Sequence, residues 1–354
     1  MKTREASITV AGAGVLGLWQ ALTLARRGYR VRLVDRNCDP LANSASSYAG
    51  AMIAPYCEAE AAPRVVLEHG LEGLAAWRAT YPGLVNNGTL VIASSRDRSD
   101  LDHFRRMTQG HANCDAAAIA ELEPDLGRRF PAGLYFADEA HMTTPDALSF
   151  LLKSVREAGG EVHFGVDLPV FESEFADASG ILIDCRGMAA RGQLPGLRAV
   201  RGERVIVRTK EISLNRPIRL LHPRHPIYVV PWGDQRFMVG ATVIESEDAG
   251  PICVRSMLEL LGTAYALSPA FAEAEIVEAG AGVRPAFDDN VPRVKVEGGG
   301  RVLRVNGAYR HGFLLAPVLA GCVAGVLDGS AMSHPLVHVS DESARPLRNA
   351  GEVI

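Results

Sequence analysis

Gly12, Gly14 and Gly17 stand in GxGxxG spacing, and Asp35 follows eighteen residues after the last of them. The chemistry this spacing offers is recognition of a dinucleotide. Gly12 permits a tight turn, Gly14 lets a pyrophosphate approach the backbone, and Gly17 lets a helix pack closely on the strand before it. The first amides of that helix, at Val15 and Leu16, then face the phosphates with a favourable dipole. Asp35 is placed to accept hydrogen bonds from a ribose diol, and an acid there disfavours a 2′-phosphate. The loop alone does not separate a flavin from a nicotinamide, and an ordinary glycine-rich turn would share its composition.

Arg284 lies between an apolar run and Pro285; a planar guanidinium can match a carboxylate with two parallel hydrogen bonds, but the local pattern alone assigns it no task. A plain surface arginine is the alternative, because four of the 37 basic residues are lysine and the rest are arginine. His222 and His225 have the separation of a metal pair. Prolines at 223 and 226 forbid helical geometry there and no acidic or cysteine ligand adjoins, so no metal is expected. The six cysteines are scattered without a CxxC pair, which reads as buried thiols in a reducing compartment.

The elements that must position these groups follow from local pattern. Residues 7–11 are a β-branched run suited to a buried parallel strand. The pattern predicts a helix over 15–27 ended by Gly28, then a strand over 29–34 with Asp35 at its tip. Residues 45–52 (ASSYAGAM) are small and too poor in periodicity for a strand, and their lack of charge suits close approach to a large planar ligand. Further helices are predicted over 64–81, 144–158 (Thr144 as cap, Pro145 in the first turn), 255–265 and 318–327. The last begins after Pro317. Strands are predicted over 161–165, 200–209, 227–231, 236–243 and 301–305, with a glycine turn at 298–300. Gly280 and Gly282 begin a second GxG, but Pro285 stands where a helix would have to run, which excludes a second nucleotide site.

A chain of 354 residues favours two domains, and 47% hydrophobic content supplies their cores. A net charge of −4 leaves no electrostatic footprint for nucleic acid or an anionic membrane. Residues 8–25 imitate a signal peptide, but glycines interrupt the run and no cleavage site follows. No other stretch approaches the roughly 18 apolar residues needed to span a bilayer. A cytoplasmic protein without stable membrane insertion is expected, and a homo-oligomer is left open.

Several stretches together resemble the D-amino-acid oxidase superfamily of FAD-dependent oxidoreductases. The small-residue loop followed by AMIAP (51–55) is similar to that family's flavin-contacting segment. ILIDCRG (181–187) resembles the strand and glycine turn that close its flavin domain. YVVPWGDQRFMVGAT (228–242) resembles its substrate-domain hairpin, YxVPxxxGxxxVGAT. GVRP (282–285) and NGAYRHGFLLAP (306–317) resemble its carboxylate-binding and flavin-capping segments. These stretches span nearly the whole chain in the family's order. DCRGMAARG and LLHPRHPIYVVP look like the glycine oxidase subgroup of thiamine biosynthesis.

The resemblance implies an α/β fold, α+β overall, in which a Rossmann-like FAD-binding domain is interleaved with a mainly antiparallel substrate domain. The expected FAD domain comprises 1–56, 143–193 and 285–345, and the substrate domain 57–142 and 194–284, with 346–354 as a tail. One FAD, held without a covalent bond, would contact Gly12, Gly14, Val15, Leu16, Gly17, Asp35, Arg36, Ala45, Ser46, Gly50, Ala51 and Met52. Leu168 would hold the adenine through its backbone. Gly187 and the run Ala308, Tyr309, Arg310, His311, Gly312, Phe313 and Leu314 would complete the cradle. Arg284 is the implied primary anchor of the substrate carboxylate, with Arg310 beside it and the Tyr228 hydroxyl assisting. His311 is assigned a backbone contact rather than a base's role. Trp232 stands where close relatives often have arginine, at the expected outer rim of the pocket. Cys322 reads as packing.

The implied reaction moves a hydride from the substrate Cα to the flavin, with no side-chain base when the amine is neutral. Glycine, sarcosine or small D-amino acids would give the imine, and O2 would take the electrons as hydrogen peroxide. Rival readings are a D-amino-acid dehydrogenase passing electrons to a quinone, a flavin-binding subunit that needs a partner, and a nicotinamide dehydrogenase.

Overall fold

The computed structural model describes residues 7–127, 129–166 and 180–339. Among them, seven strands form one sheet in the order Val337–Val339, Arg293–Glu297, Val302–Asn306, Ile181–Asp184, Ser7–Ala11, Arg30–Asp35, Glu161–Phe164. Neighbours run parallel, apart from the antiparallel pair Arg293–Glu297 and Val302–Asn306 joined by the Gly298–Gly300 turn. The β-branched run at Ser7–Ala11 is central and buried, as a strand covered on both faces requires. Helix Val15–Arg26 follows it, and Gly28, at φ +83°, turns the chain into Arg30–Asp35.

The last helix, Gly312–Asp328, packs along Val15–Arg26 and Arg64–Thr80. It starts six residues before the predicted position 318 and carries Pro317 in its interior. Proline has no amide to give the carbonyl four residues back, which would leave Phe313 O short of a partner. The Trp77 indole donates to that oxygen at 2.6 Å, so a side chain from another helix replaces the missing backbone bond. Thr144 also departs from expectation. Thr143 is the N-cap residue of Thr144–Glu157, with no side-chain cap, and the Thr144 hydroxyl donates to Ala49 O at 2.7 Å, tying the helix to the small-residue loop. Within that loop Ala45–Tyr48 is a 3₁₀ turn, and Met52–Ile53 forms a short strand with Ala140–His141.

A second, mostly antiparallel sheet has the order Ile244–Glu245, Arg198–Arg208, Arg236–Gly240, Ile227–Pro231, Ile218–Leu221, Thr89–Ala93, Ala132–Phe136, Ala112–Asp115. Glu275–Ala286 pairs with the other side of Arg198–Arg208. The second GxG, Gly280–Gly282, therefore lies inside a strand. Helix Val254–Leu267 seals one face by packing Leu260, Ala264 and Leu267 on Val205, Val229 and Val239. The strand predicted over 236–243 breaks at 240 and resumes at Ile244–Glu245, because the intervening residues turn toward Arg284. No helix among the described residues is long and apolar enough to cross a membrane.

Candidate active site

One cavity of about 860 Å³ runs between the two sheets. The glycine loop forms part of its wall. Gly12 adopts φ +97°, and a Cβ there would stand 2.6 Å from the Cys185 carbonyl oxygen. A Cβ at Gly17 would stand 1.8 Å from Gly12 O, so this residue closes the turn and does not itself line the cavity. Asp35 Oδ2 accepts the Ala13 amide at 2.7 Å and Oδ1 accepts the Asn37 amide at 2.8 Å, which leaves each oxygen further acceptor capacity for a diol. Ser46 Oγ accepts the Val15 amide at 3.0 Å, bringing the small-residue loop to the start of the first helix. The residues present thus form a cradle that excludes side chains beside helix-terminal amides, which fits a dinucleotide's pyrophosphate.

Most of the expected cofactor contacts share this wall. Gly14, Leu16, Arg36, Ala45, Gly50, Ala51 and Met52 line it, as do Gly187, Ala308, Tyr309, Gly312 and Phe313. Ala51 and Tyr309 hold φ of +48° and +47°, strained values for residues with side chains. Leu168 lies outside the described residues. His311 and Leu314 do not line the cavity. The Leu314 carbonyl is turned onto Gly73, where a Cβ would come within 1.9 Å, and His311 is 2% exposed beneath Glu58. Burial lowers the His311 imidazole to about 4, so it is neutral at pH 7 and faces no substrate. Cys322 is buried in the last helix beside His334 and is no part of the wall.

The residues expected on the substrate side converge on the same space. Tyr228, Arg284 and Arg310 all line the cavity. Arg284 Nη1 donates to Thr242 O at 3.1 Å, and its guanidinium lies flat across Gly202, where a Cβ would meet Nη2 at 2.0 Å. Burial lowers its pKa, an effect that Tyr228 opposes. Arg310 differs, because Glu58 Oε1 stands 3.3 Å from its Nη2. Glu58 is the cavity-lining acid that sequence reasoning missed. Burial would raise its carboxyl, but Arg310, His311 and Arg219 outweigh that and hold it at about 2. Arg219 Nη1 lies 3.6 Å from Glu58 and Nη2 3.7 Å from Glu60. Trp232 is not at the rim: it is buried with Ile206, Val230 and Met238, with the Arg204 guanidinium 5.4 Å from its ring. The two histidines at 222 and 225 are used locally, with His222 Nδ1 accepting the Arg224 and His225 amides.

Glu58 is carried on the short helix Pro55–Glu58, and a buried carboxyl supports that turn from below. Glu139 Oε1 accepts the Cys57 amide at 2.7 Å. Burial pushes the Glu139 carboxyl up to about 7 against the hydrogen bond from the Cys57 amide. Between the ordinary 4.5 and 7 the folded protein holds a proton that the unfolded chain has released. Stability therefore falls as pH rises through that window and levels off above it, by about 3 kcal/mol from this group. Glu139→Gln keeps an acceptor and removes the titration. Its melting temperature relative to the wild type is expected to climb from pH 4.5 to pH 7. A difference constant with pH would show that Glu139 carries no such proton.

A family model described as FAD dependent oxidoreductase (DAO) matches residues 7–325. A Rhizobium etli protein named as a thiamine biosynthesis oxidoreductase, ThiO, is 52% identical over 318 residues, covering 90% of this chain and 95% of the relative. The glycine oxidase of Geobacillus kaustophilus is 26% identical over 373 residues, covering 92% and 94%. The crystal structure of glycine oxidase from Geobacillus kaustophilus superposes with a TM-score of 0.78 at 22% identity over 92% of this chain and 95% of that one. That last likeness carries the fold, which is the mixed α/β architecture expected from the sequence.

Proposed function

Since the chain belongs to the DAO family of FAD-dependent oxidoreductases and is an FAD-dependent amino-acid oxidase, we propose that it oxidises glycine or another small primary or secondary amino acid to the imine. The observation that carries this reading is the charge state of the cavity wall. Among the described cavity-lining arginines, 186, 191, 219 and 310 each have a carboxylate within reach. Arg36 is exposed, whereas Arg284 is half-buried, donates to the Thr242 carbonyl and has no carboxylate of the described residues within ion-pair distance. A partly desolvated guanidinium without a counter-ion is a site for one carboxylate. Tyr228, which lines the same cavity, can donate a further hydrogen bond from its hydroxyl.

FAD, when bound, supplies the two-electron acceptor that oxygen would restore with release of hydrogen peroxide. Gly12, Asp35 and Ser46 would hold its dinucleotide half. Arg284 and Tyr228 would fix the substrate by its carboxylate, so that the Cα–H bond has one orientation. Glu58 stays ionised at every working pH and is already paired with Arg310, so it is no reservoir for the amine's proton. The amine must then arrive neutral or lose its proton to water. Tyr228 Cε2 stands 2.7 Å from where a Cβ at Gly50 would be, so the small-residue loop and the strand carrying Tyr228 meet closely at the cavity wall. In this reading the seven-stranded sheet carries FAD and the second sheet the substrate. The name of the Rhizobium relative supports a place for this oxidation in thiamine biosynthesis.

The test is an aerobic screen of glycine, sarcosine and D-alanine with purified yellow holoenzyme, reading hydrogen peroxide. Peroxide formation with at least one of them is expected. No peroxide, together with no anaerobic bleaching of the flavin by any of the three, would rule out the reading.

A further inference from the structure

Arg284 is aimed by a residue from another loop. Its guanidinium rests on Gly202 and bonds the carbonyl of Thr242, which directly follows the strand Arg236–Gly240 and Ala241. Thr242 is in turn clasped by Glu203. The Thr242 amide donates to Glu203 O at 3.2 Å, and the Glu203 amide donates to Thr242 Oγ1 at 2.9 Å. The same hydroxyl donates to Glu203 Oε2 at 3.2 Å. One hydroxyl thus accepts from and donates to a single neighbouring residue, which fixes its rotamer and with it the plane of the peptide.

Glu203 is itself immobilised. It is fully buried, and its Oε1 accepts Arg201 Nε and Nη2 at 3.0 and 2.7 Å and the Cys253 amide at 3.2 Å. Arg201, also buried, donates onward to the carbonyls of Asp248 and Pro251 at 2.6 and 2.5 Å. The buried pair therefore holds both ends of the loop 242–251, from which Val243, Glu247 and Ala249 line the cavity. Breaking such a pair is costly, so the loop has one arrangement.

We propose that Thr242, clasped by the buried Glu203–Arg201 pair, is a positioning residue that holds the Arg284 guanidinium in the orientation from which it takes the substrate's carboxylate. This rests on the reading of Arg284 as the carboxylate anchor. Thr242 touches neither substrate nor cofactor in this scheme. Its contribution is to the affinity for a carboxylate and not to the rate once substrate is bound.

The experiment compares Thr242→Val, Thr242→Ser and Arg284→Ala with the wild-type holoenzyme. Acetate is titrated into the oxidised protein by its perturbation of the flavin spectrum, and initial rates are measured with glycine. Loss of one hydrogen bond to a positioned group corresponds to about a tenfold change in affinity. Thr242→Val is therefore expected to raise both the acetate Kd and the glycine KM about tenfold, with kcat within about twofold. Thr242→Ser, which restores the hydroxyl, is expected to return both to near wild type. Should the valine variant fail to retain flavin, Thr242→Ala removes the hydroxyl with less bulk and carries the same expectation. An unchanged Kd in the hydroxyl-free variants, a fall in kcat without a rise in KM, or a serine variant as impaired as valine would each overturn the proposal. Equal acetate binding by wild type and Arg284→Ala would overturn the anchor assignment beneath it, a result distinct from any at position 242.

Discussion

Replacing Arg284 with alanine is expected to raise the KM for glycine by a factor of tens to thousands, the largest functional effect of any single substitution in this cavity. The size follows from what the group does alone. Removing one partner of a buried, hydrogen-bonded charge pair costs on the order of 2–5 kcal/mol, and each 1.4 kcal/mol is about tenfold. Arg310 is too committed to take over. Glu58 lies 3.3 Å from it and remains ionised down to about pH 2, so its charge is already matched. Lysine at 284 is not a conservative replacement, since an ammonium cannot reproduce the two-pronged grip or the flat contact over Gly202. Gly202→Ala should move KM in the same direction, because its Cβ would meet the guanidinium at 2.0 Å. Steady-state kinetics on flavin-saturated enzyme decides the matter. A wild-type KM in Arg284→Ala would remove the guanidinium from the substrate's path.

What could be seen in the sequence was whatever a local backbone requirement dictates. The turn at Gly12, the closure at Gly17 and the acid at Asp35 are tied to one strand–helix–strand unit within 30 residues, and periodicity finds them. The positions that escaped are those completed by distant partners. Pro317 looks like a helix start until Trp77, far back in the chain, supplies the hydrogen bond that proline cannot. Thr144 looks like a cap until Ala49 O takes its hydroxyl. Glu58 carries no local signal at all, since its meaning comes from Arg310, 252 residues on. Trp232 stands at the rim only by the resemblance, at a position where close relatives often have arginine; it shares the face of Tyr228, four residues back, and is buried there among Ile206, Val230 and Met238 with the Arg204 guanidinium over its ring. Tyr228 and Arg284 could be placed in one site only through the resemblance. The pairing that unites them runs through two intervening strands, with Tyr228 opposite Gly240, Gly240 opposite Arg204, and Val200, on the same strand as Arg204, opposite Arg284.

The largest expected loss of stability comes from Asp184, in the strand behind the dinucleotide loop. Its side chain is fully buried and holds two guanidinium groups. Arg186 donates from Nε to Oδ1 at 2.9 Å and from Nη2 to Oδ2 at 2.8 Å, and Arg304 donates from Nη1 to Oδ2 at 2.7 Å. Arg304 is only 2% exposed, so water cannot replace the carboxylate if it is lost. Glu297 at 2.8 Å from Arg304 Nε remains, but it is also engaged by Lys295 at 2.6 Å and cannot reach Arg186's role at the cavity wall. Asp184→Ala is expected to cost about 3–5 kcal/mol, the range for stripping one partner from a buried ion pair. In a chain of this size that lowers the melting temperature by about 4–7 °C. Because Arg186 lines the cavity, the same variant should also bind FAD more weakly, measured by flavin release on dilution. Asp184→Asn, which keeps the shape and one acceptor, should fall between the two. A melting temperature within a degree or so of wild type for Asp184→Ala would mean that the two arginines are held by something other than this carboxylate.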